Sequence, residues 1–365
     1  MLIINLNSTP MKQKILWTIF MWWAWHSVYG QVKYYDAAAF PLYGKCKLEG
    51  SALYNRFPDS LQSISRPELW TLSTNSAGMA IRFRSNSSTI SARWVLKYNN
   101  HMNHMTDTGV KGLDLYGLEN GEWVYMSVGR PLGKSNEAAI ISNMQPVWRE
   151  YMLYLPLYDG VDSLFIGIDK EAEITQPQTE LPRRSKPLVM YGTSILQGGC
   201  ATRPGMAHTN ILGRMLGVEV INLGFSGNAF LDLEVADLMA KVDASVFVID
   251  CLPNSSVEMM EERLYEFYRR IRNAWPDTPI LFIEDPVFTT AAFDLRMREE
   301  VTAKNKTLHH IFDKIKKQDR HVECIGLSNF LAQHKDATVD GIHFTDVGFI
   351  EYAQLLYRHL KKYVK

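Results

Sequence analysis

Apolar and polar positions follow two different rhythms along this chain. Between residues 69 and 168 they alternate over short runs, at residues 69–72, 79–84, 89–96, 112–116, 123–126, 151–155 and 161–168. Turn-forming clusters separate these runs, among them Ser85-Asn86-Ser87-Ser88, Glu119-Asn120-Gly121 and Tyr158-Asp159-Gly160. Many short strands with such punctuation predict an antiparallel β-sandwich of jelly-roll type. From residue 187 the rhythm changes. Apolar runs at 187–191, 218–223, 245–249, 279–283 and 322–325 alternate with helical patterns near 206–216, 231–242, 257–274, 295–317 and from Thr345-Asp346 onward. Met260, Leu264, Phe267, Tyr268 and Ile271 recur at helical spacing within the third of these. Five strand–helix units predict a parallel five-stranded sheet covered by helices on both faces, a flavodoxin-like three-layer α/β/α domain. Its functional residues belong at the carboxyl ends of the strands.

Residues 176–186, rich in proline and carrying Arg183-Arg184, read as the linker. The expected organisation is a leader at 1–30, a β-sandwich at 31–180 and an α/β domain at 181–365. The leader rests on Lys12 and Lys14, a short apolar run at 15–25 and a small residue, Gly30, before Gln31. That run is short for a bilayer span of about twenty residues and predicts a cleaved export signal, with an uncleaved anchor as the other reading. Export makes the expected location periplasmic or secreted.

Composition narrows the function by exclusion. The formal net charge is zero, so no basic excess is available for nucleic acid or an acidic membrane surface. With 46% hydrophobic residues the 365-residue chain has ample material for large cores. Four cysteines, Cys46, Cys200, Cys251 and Cys324, make neither a disulfide scaffold nor a zinc-finger pattern. Export would permit a Cys200–Cys251 bridge; two free buried thiols are the reading adopted. His101 and His104, three apart, lack further nameable ligands and read as a solvated loop, so no metal and no cofactor is expected. Trp70, Trp94, Trp123 and Trp148 could stack on sugars, although packing is the commoner use of a strand tryptophan.

Four segments carry the candidate chemistry. Gly192-Thr193-Ser194 follows the first α/β strand, and a small-residue loop, Gly224-Phe225-Ser226-Gly227-Asn228, follows the second. Asp250-Cys251-Leu252-Pro253-Asn254 follows the third, and Asp340-Gly341-Ile342-His343 precedes the last helix. A lone serine after a strand is ordinarily a turn or capping residue. Together the segments supply what acyl transfer needs: a nucleophile, a base, a group to orient the base, and donors for the oxyanion. Asp340 and His343 are spaced so that one turn can hold both. Asn254 could instead cap the following helix, His343 could be a surface histidine, and Gly227 only a turn. Asp232 and Asp250 read as loop and cap residues, and Glu284-Asp285-Pro286 as a stretch without an assigned role.

These segments resemble the GDSL-type, or SGNH, hydrolase superfamily. The resemblance implies Ser194 as nucleophile, His343 as general base and Asp340 as its orienting partner. It implies an oxyanion hole built from the Ser194 and Gly227 backbone N–H groups and the Asn254 side-chain amide. Thr193 departs from the Asp of the name-giving motif, and Leu252-Pro253-Asn254-Ser255 departs from the usual third block. Gly112-Leu113-Asp114-Leu115-Tyr116 is similar to the Gly-x-Asp-Leu-Tyr motif of an N-terminal domain found with one SGNH subgroup of gut-type Bacteroidetes, and residues 198–206 resemble the same subgroup. That architecture implies an exported carbohydrate esterase acting on short, acetyl-like esters. Two other readings remain open: a lipase, lysophospholipase or thioesterase, against which the small polar set Gln197, Gly198, Gly199 and Thr202 argues, and a glycan-binding protein with an inactive hydrolase domain.

Overall fold

Side-chain alternation accounts for the two sheets of the first half. The computed structural model describes residues 32–180, 186–327, 330–331 and 335–364; the expected leader and Arg183-Arg184 lie outside them. Described strands before residue 176 are β1 (Val32–Asp36), β2 (Leu42–Tyr43), β3 (Ala80–Ser85), β4 (Ile90–Leu96), β5 (Leu113–Glu119), β6 (Glu122–Gly129), β7 (Ser135–Ile141), β8 (Arg149–Tyr154), β9 (Val161–Asp169) and β10 (Ile174–Thr175). One antiparallel sheet runs β1-β9-β4-β7; the other runs β10-β3-β8-β5-β6, with β2 added beside β3. Their inward residues, including Phe83, Trp94, Leu115, Tyr151 and Ile166, form a common core. Trp94 is a core residue whose indole N–H donates to the Lys111 carbonyl at 3.2 Å.

The expectation of a strand at residues 69–72 fails. That stretch lies in helix α1 (Pro67–Ser73). Pro67 in the first turn is preorganised for a helix, Glu68 beside it suits the positive end of the dipole, and Leu69 and Ser73, four apart, form the buried face. A run of four residues is too short for alternation to outweigh those start signals. A second short helix, α2 (Asp107–Lys111), is capped by the Thr106 hydroxyl.

The second half follows the expected alternation. Its strands are β11 (Leu188–Gly192), β12 (Val220–Gly224), β13 (Val246–Asp250), β14 (Ile280–Ile283) and β15 (Val322–Ile325), all parallel, in the order β12-β11-β13-β14-β15. Its helices are α3 (Ser194–Gln197), α4 (His208–Leu216), α5 (Leu233–Met239), α6 (Val257–Ala274), α7 (Leu295–Lys316) and α8 (Asp346–Leu360). Alternate strand residues go to opposite faces. Met190 and Val248 join Leu212, Phe349 and Leu356 on the α4/α8 side, whereas Tyr191 and Ile249 join Val235, Leu264 and Phe312 on the other. This strand order puts a topological switch beside β11, where ligands of such folds bind.

The two halves are joined by buried contacts. Phe57, Leu61 and Leu69 belong to the same apolar cluster as Tyr191 and Phe267, so this part of the first half packs on the α/β core. Burying a residue such as Phe57 contributes about 1.5–3 kcal/mol. Arg56, almost fully buried, stacks on Phe225 and donates to the carbonyls of Leu72, Asn75, Asn222 and Gly224. Burial, which penalises its charge, brings its pKa down to about 9. Arg66 holds both carboxylate oxygens of Asp232, at 2.8 and 2.9 Å.

Candidate active site

Sheet register assembles the rim. Gly192, at the end of β11, pairs with Gly224 of β12 on one side and with Asp250 of β13 on the other. The three following loops therefore leave the sheet at one level. A Cβ at Gly224 would lie 2.2 Å from the Gln197 backbone nitrogen, so only glycine lets α3 sit this close to β12. Thr193 caps α3 by accepting from the Ile195 N–H, which leaves Ser194 as the first helical residue. At the Asp of the name-giving motif, this chain thus uses a hydroxyl as a cap.

Ser194 and His343, 149 residues apart, meet: Ser194 Oγ lies 2.8 Å from His343 Nε2. His343 Nδ1 lies 2.7 Å from Asp340 Oδ2. The turn that carries the acid and the imidazole is fixed locally. Asp340 Oδ1 accepts from the backbone N–H groups of Ile342 and His343, and Gly341, at φ +90°, takes the left-handed conformation the turn needs. A bridge between Thr338 and Phe344 closes the loop from behind. Partial burial pushes the Asp340 carboxyl up, but hydrogen bonds from the His343 side chain and the two backbone donors together outweigh it. Its pKa therefore lies below the ordinary carboxylate value. With Asp340 ionised, the network assigns the proton of His343 to Nδ1 and leaves Nε2 to accept from the serine hydroxyl.

Gly227 sits in the exposed turn after β12, and among the described residues its N–H donates to no acceptor. Asn254 Oδ1 accepts from the Ala229 N–H at 3.4 Å, while no acceptor for the Asn254 amide N–H₂ occurs among the described residues. The helix after this loop is capped by Ser256, so the capping alternative for Asn254 does not hold. The Ser226 N–H is occupied by Gln197 Oε1, whose amide nitrogen in turn donates to Asn75 and to the Leu157 carbonyl. Gln197 is fully buried and braces the loop; it lines no acyl channel.

Sequence reasoning missed the first half's contribution to this rim. The Tyr158 hydroxyl donates to the Ser194 carbonyl at 3.2 Å. The His104 ring lies 5.5 Å from the His343 ring, centroid to centroid. Asp114 of the Gly-x-Asp-Leu-Tyr motif is fully buried and accepts from Arg203 and from the Gly205 N–H, both at 2.7 Å. The two motifs noted separately in the sequence therefore grip each other and pin the loop that follows Ser194. Thr106 and Thr108 add hydroxyl bonds to the Thr202 carbonyl. The signal available in the sequence was the pair of motifs; nothing local said that they touch. An open cleft of about 530 Å³ lies beside Tyr158 and the Gly224–Asn228 loop. Pro67, Leu72 and Met102 supply apolar patches, and Asn100, Ser226 and Asn228 supply hydrogen-bonding groups.

Other candidates have structural jobs. Asp250 is no cap: it ends β13 in the core, bonded to the Tyr352 hydroxyl at 2.9 Å, and burial pushes its pKa up to about 7. Asp232 stands at the N-terminus of α5 but makes no side-chain cap bond, because Arg66 takes both its oxygens. Glu284 pairs with His309 and the Leu327 N–H, and Asp285 lies buried by Lys304. All four cysteines are free thiols, and burial, with Asp340 nearby, raises Cys200 to about 12. No described helix is long and apolar enough to cross a membrane.

Residues 185–361 match the GDSL-like lipase/acylhydrolase family, and residues 32–174 match the GxDLY domain, the N-terminus of SGNH hydrolase-type esterases. A solved protein from Bacteroides ovatus described as a GDSL-like lipase is 36% identical, with a TM-score of 0.87 over 92% of this chain and 98% of its own. A salicylyl-acyltransferase from a tetracycline biosynthetic pathway is 15% identical, with a TM-score of 0.72 over 91% of this chain and 97% of its own. A family two carbohydrate esterase from Clostridium thermocellum, solved with cellohexaose, is 12% identical, with a TM-score of 0.53 over 78% of this chain and 92% of its own. At such identities the last two share the fold with this chain. No curated protein matches it.

Proposed function

The chain belongs to the GDSL-like lipase/acylhydrolase family, and from that premise we propose that it is a serine esterase removing short acyl groups, acetyl first among them, from carbohydrates. The observation that carries the reading is the relay from Ser194 Oγ through His343 to Asp340, at 2.8 and 2.7 Å. Ser194 Oγ attacks the ester carbonyl as His343 Nε2 takes its proton. Asp340, ionised, stabilises the imidazolium through Nδ1–H. The oxyanion forms among the Ser194 and Gly227 N–H groups and the Asn254 amide, donors with no other demand on them in the case of Gly227 and Asn254. His343 then gives its proton to the leaving sugar hydroxyl, and water repeats the sequence on the acyl-enzyme.

The substrate class rests on analogy with the carbohydrate esterases that share the fold, and the cleft beside Tyr158, which bonds the Ser194 carbonyl, supports it with apolar patches and amide and hydroxyl groups suited to a sugar ring. Export rests on the leader-like pattern around Lys12, Lys14 and the following apolar run. The test is hydrolysis of para-nitrophenyl acetate and butyrate and of acetylated xylan by the wild type and Ser194→Ala. Acetate release by the wild type, lowered about a thousandfold or more in the variant, is the expected result. Equal rates in the two proteins would remove Ser194 from the mechanism, and a strong preference for the longer chain would return the lipase reading.

A further inference from the structure

His101 and His104 offer too few ligands in the sequence to make a metal site. The fold supplies the missing ones for His104 and none for His101. His101 turns to Asp107 and Lys111. A ring nitrogen of His104, the Cys200 sulfur and a ring nitrogen of His343 all lie within 4.8 Å of one another, the one group of three such ligands among the described residues. They come from three places: the loop after β4, the turn after α3 and the loop before α8. Cys200 is held at φ +73°, a left-handed conformation rare for a residue with a side chain, which sets the direction of its Cα–Cβ bond. His104 Nδ1 is engaged by the Asn103 side chain at 2.8 Å, which leaves Nε2 as its unengaged nitrogen.

Two imidazoles and a thiolate are the donor set of zinc and its neighbours among the transition metals, and a poor set for magnesium or calcium. Bonds of about 2.0–2.3 Å in a tetrahedral site need ligands roughly 3.5 Å apart, so modest side-chain rotation closes the group on an ion. Three protein ligands leave a fourth position for water or another oxygen. The consequence for His343 does not depend on which of its nitrogens binds. Nε2 is bonded to Ser194 and Nδ1 to Asp340, so an ion at either one breaks the relay.

We propose that His104, Cys200 and His343 form a zinc-class metal site whose occupation switches Ser194 off. On binding, the Cys200 S–H bond breaks, its proton passes to water, and sulfur and the two imidazole nitrogens each donate an electron pair to the ion; no redox change is involved. The inhibitory part of the inference rests on the esterase reading above, whereas the binding part does not.

The experiment uses the full-length protein, stripped of metal with chelator, and two probes. Zn²⁺ is titrated against para-nitrophenyl acetate hydrolysis, and Co²⁺ is titrated in the absence of substrate while the thiolate-to-cobalt absorption band is followed. Wild type should be inhibited by Zn²⁺, recover with chelator, and show the cobalt band. Cys200→Ser should lose the band. Cys200→Ser and His104→Asn should each raise the half-inhibiting Zn²⁺ concentration, relative to their own metal-free rates, by about tenfold or more, as expected for losing a ligand when outer partners alone are worth that much. His101→Asn should respond as wild type does. Inhibition equal in wild type, Cys200→Ser and His104→Asn overturns the site, as does activation by Zn²⁺ or the absence of a cobalt band in an active enzyme. A cobalt band in a protein without esterase activity keeps the metal site and sinks the esterase reading.

Discussion

The rim of the parallel sheet and the seam beneath the sandwich hold their polar groups in opposite ways. On the rim, Ser194, Gly227, Asn254 and the Asp340–His343 turn are placed by backbone: strand register, a capped turn and a glycine at φ +90°. Their side chains or N–H groups remain available to a reacting molecule. In the seam, Arg56, Arg66, Asp114 and Gln197 are each held by a partner from the other half, Gly224, Asp232, Arg203 and Asn75 in turn, and their polar groups are engaged in joining the two halves. On the proposed function, the contrast separates groups kept unspent for chemistry from groups spent on positioning. Substitution should therefore damage turnover in the first set and stability in the second.

The largest effect expected is on the rim. Ser194→Ala and His343→Ala should each lower turnover by about a thousandfold or more while leaving the unfolding midpoint nearly unchanged. A variant that loses both in parallel would erase the distinction. Arg56→Met tests the opposite case. It removes the charged donor shared by four carbonyls, three buried and one partly buried, which should cost about 3 kcal/mol or more in urea unfolding, while the folded fraction keeps its turnover.

Next in size is an acid effect from the α/β half. His208 is fully buried between Phe349 and Tyr352, neither ring nitrogen has a partner, and burial lowers its pKa to about 3 from the ordinary 6.5. Between those values the unfolded chain takes up a proton that the native state refuses. The contribution of the neutral imidazole is thus complete above about pH 6.5 and is lost as pH falls toward 3. His208→Leu should flatten that limb of the stability profile, by about 3 kcal/mol at pH 4 compared with pH 7; an unchanged slope would mean the imidazole is hydrated. The smallest effect belongs to a residue of the first half that touches the rim. Tyr158→Phe removes one bond to the Ser194 carbonyl and should cost about 1 kcal/mol of stability and less than about tenfold in turnover.

Legibility in the sequence follows the same division. The five α/β strands were readable because each is a continuous apolar run between helical periods, and the helix over Val257–Ala274 was readable from its apolar spacing, although its cap is Ser256 and not Asn254. Ser194, Gly227 and Asn254 stood out as candidates because each lies just after such a run, and Asp340 with His343 because they lie three apart before the last helix. Leu69–Leu72 was misread because four residues carry too little periodicity to outweigh a proline helix start. Asp250 was misread as a cap because its partner, Tyr352, lies 102 residues away. Tyr158, Asp114 with Arg203, and His104 beside His343 were invisible as contacts for the same reason.

The amino-acid sequence by itself determined the two rhythms, the parallel α/β architecture and the segments that end its strands. Those depend on neighbours within one element, and period, capping and turn chemistry act over a few residues. Only the tertiary structure decided that residues 45–73 pack on the α/β core, that Asp114 grips the loop after Ser194, and that His104 and Cys200 stand beside His343. Those depend on how two separately patterned cores dock, and docking is set by the summed burial of surfaces whose residues lie tens to hundreds of positions apart.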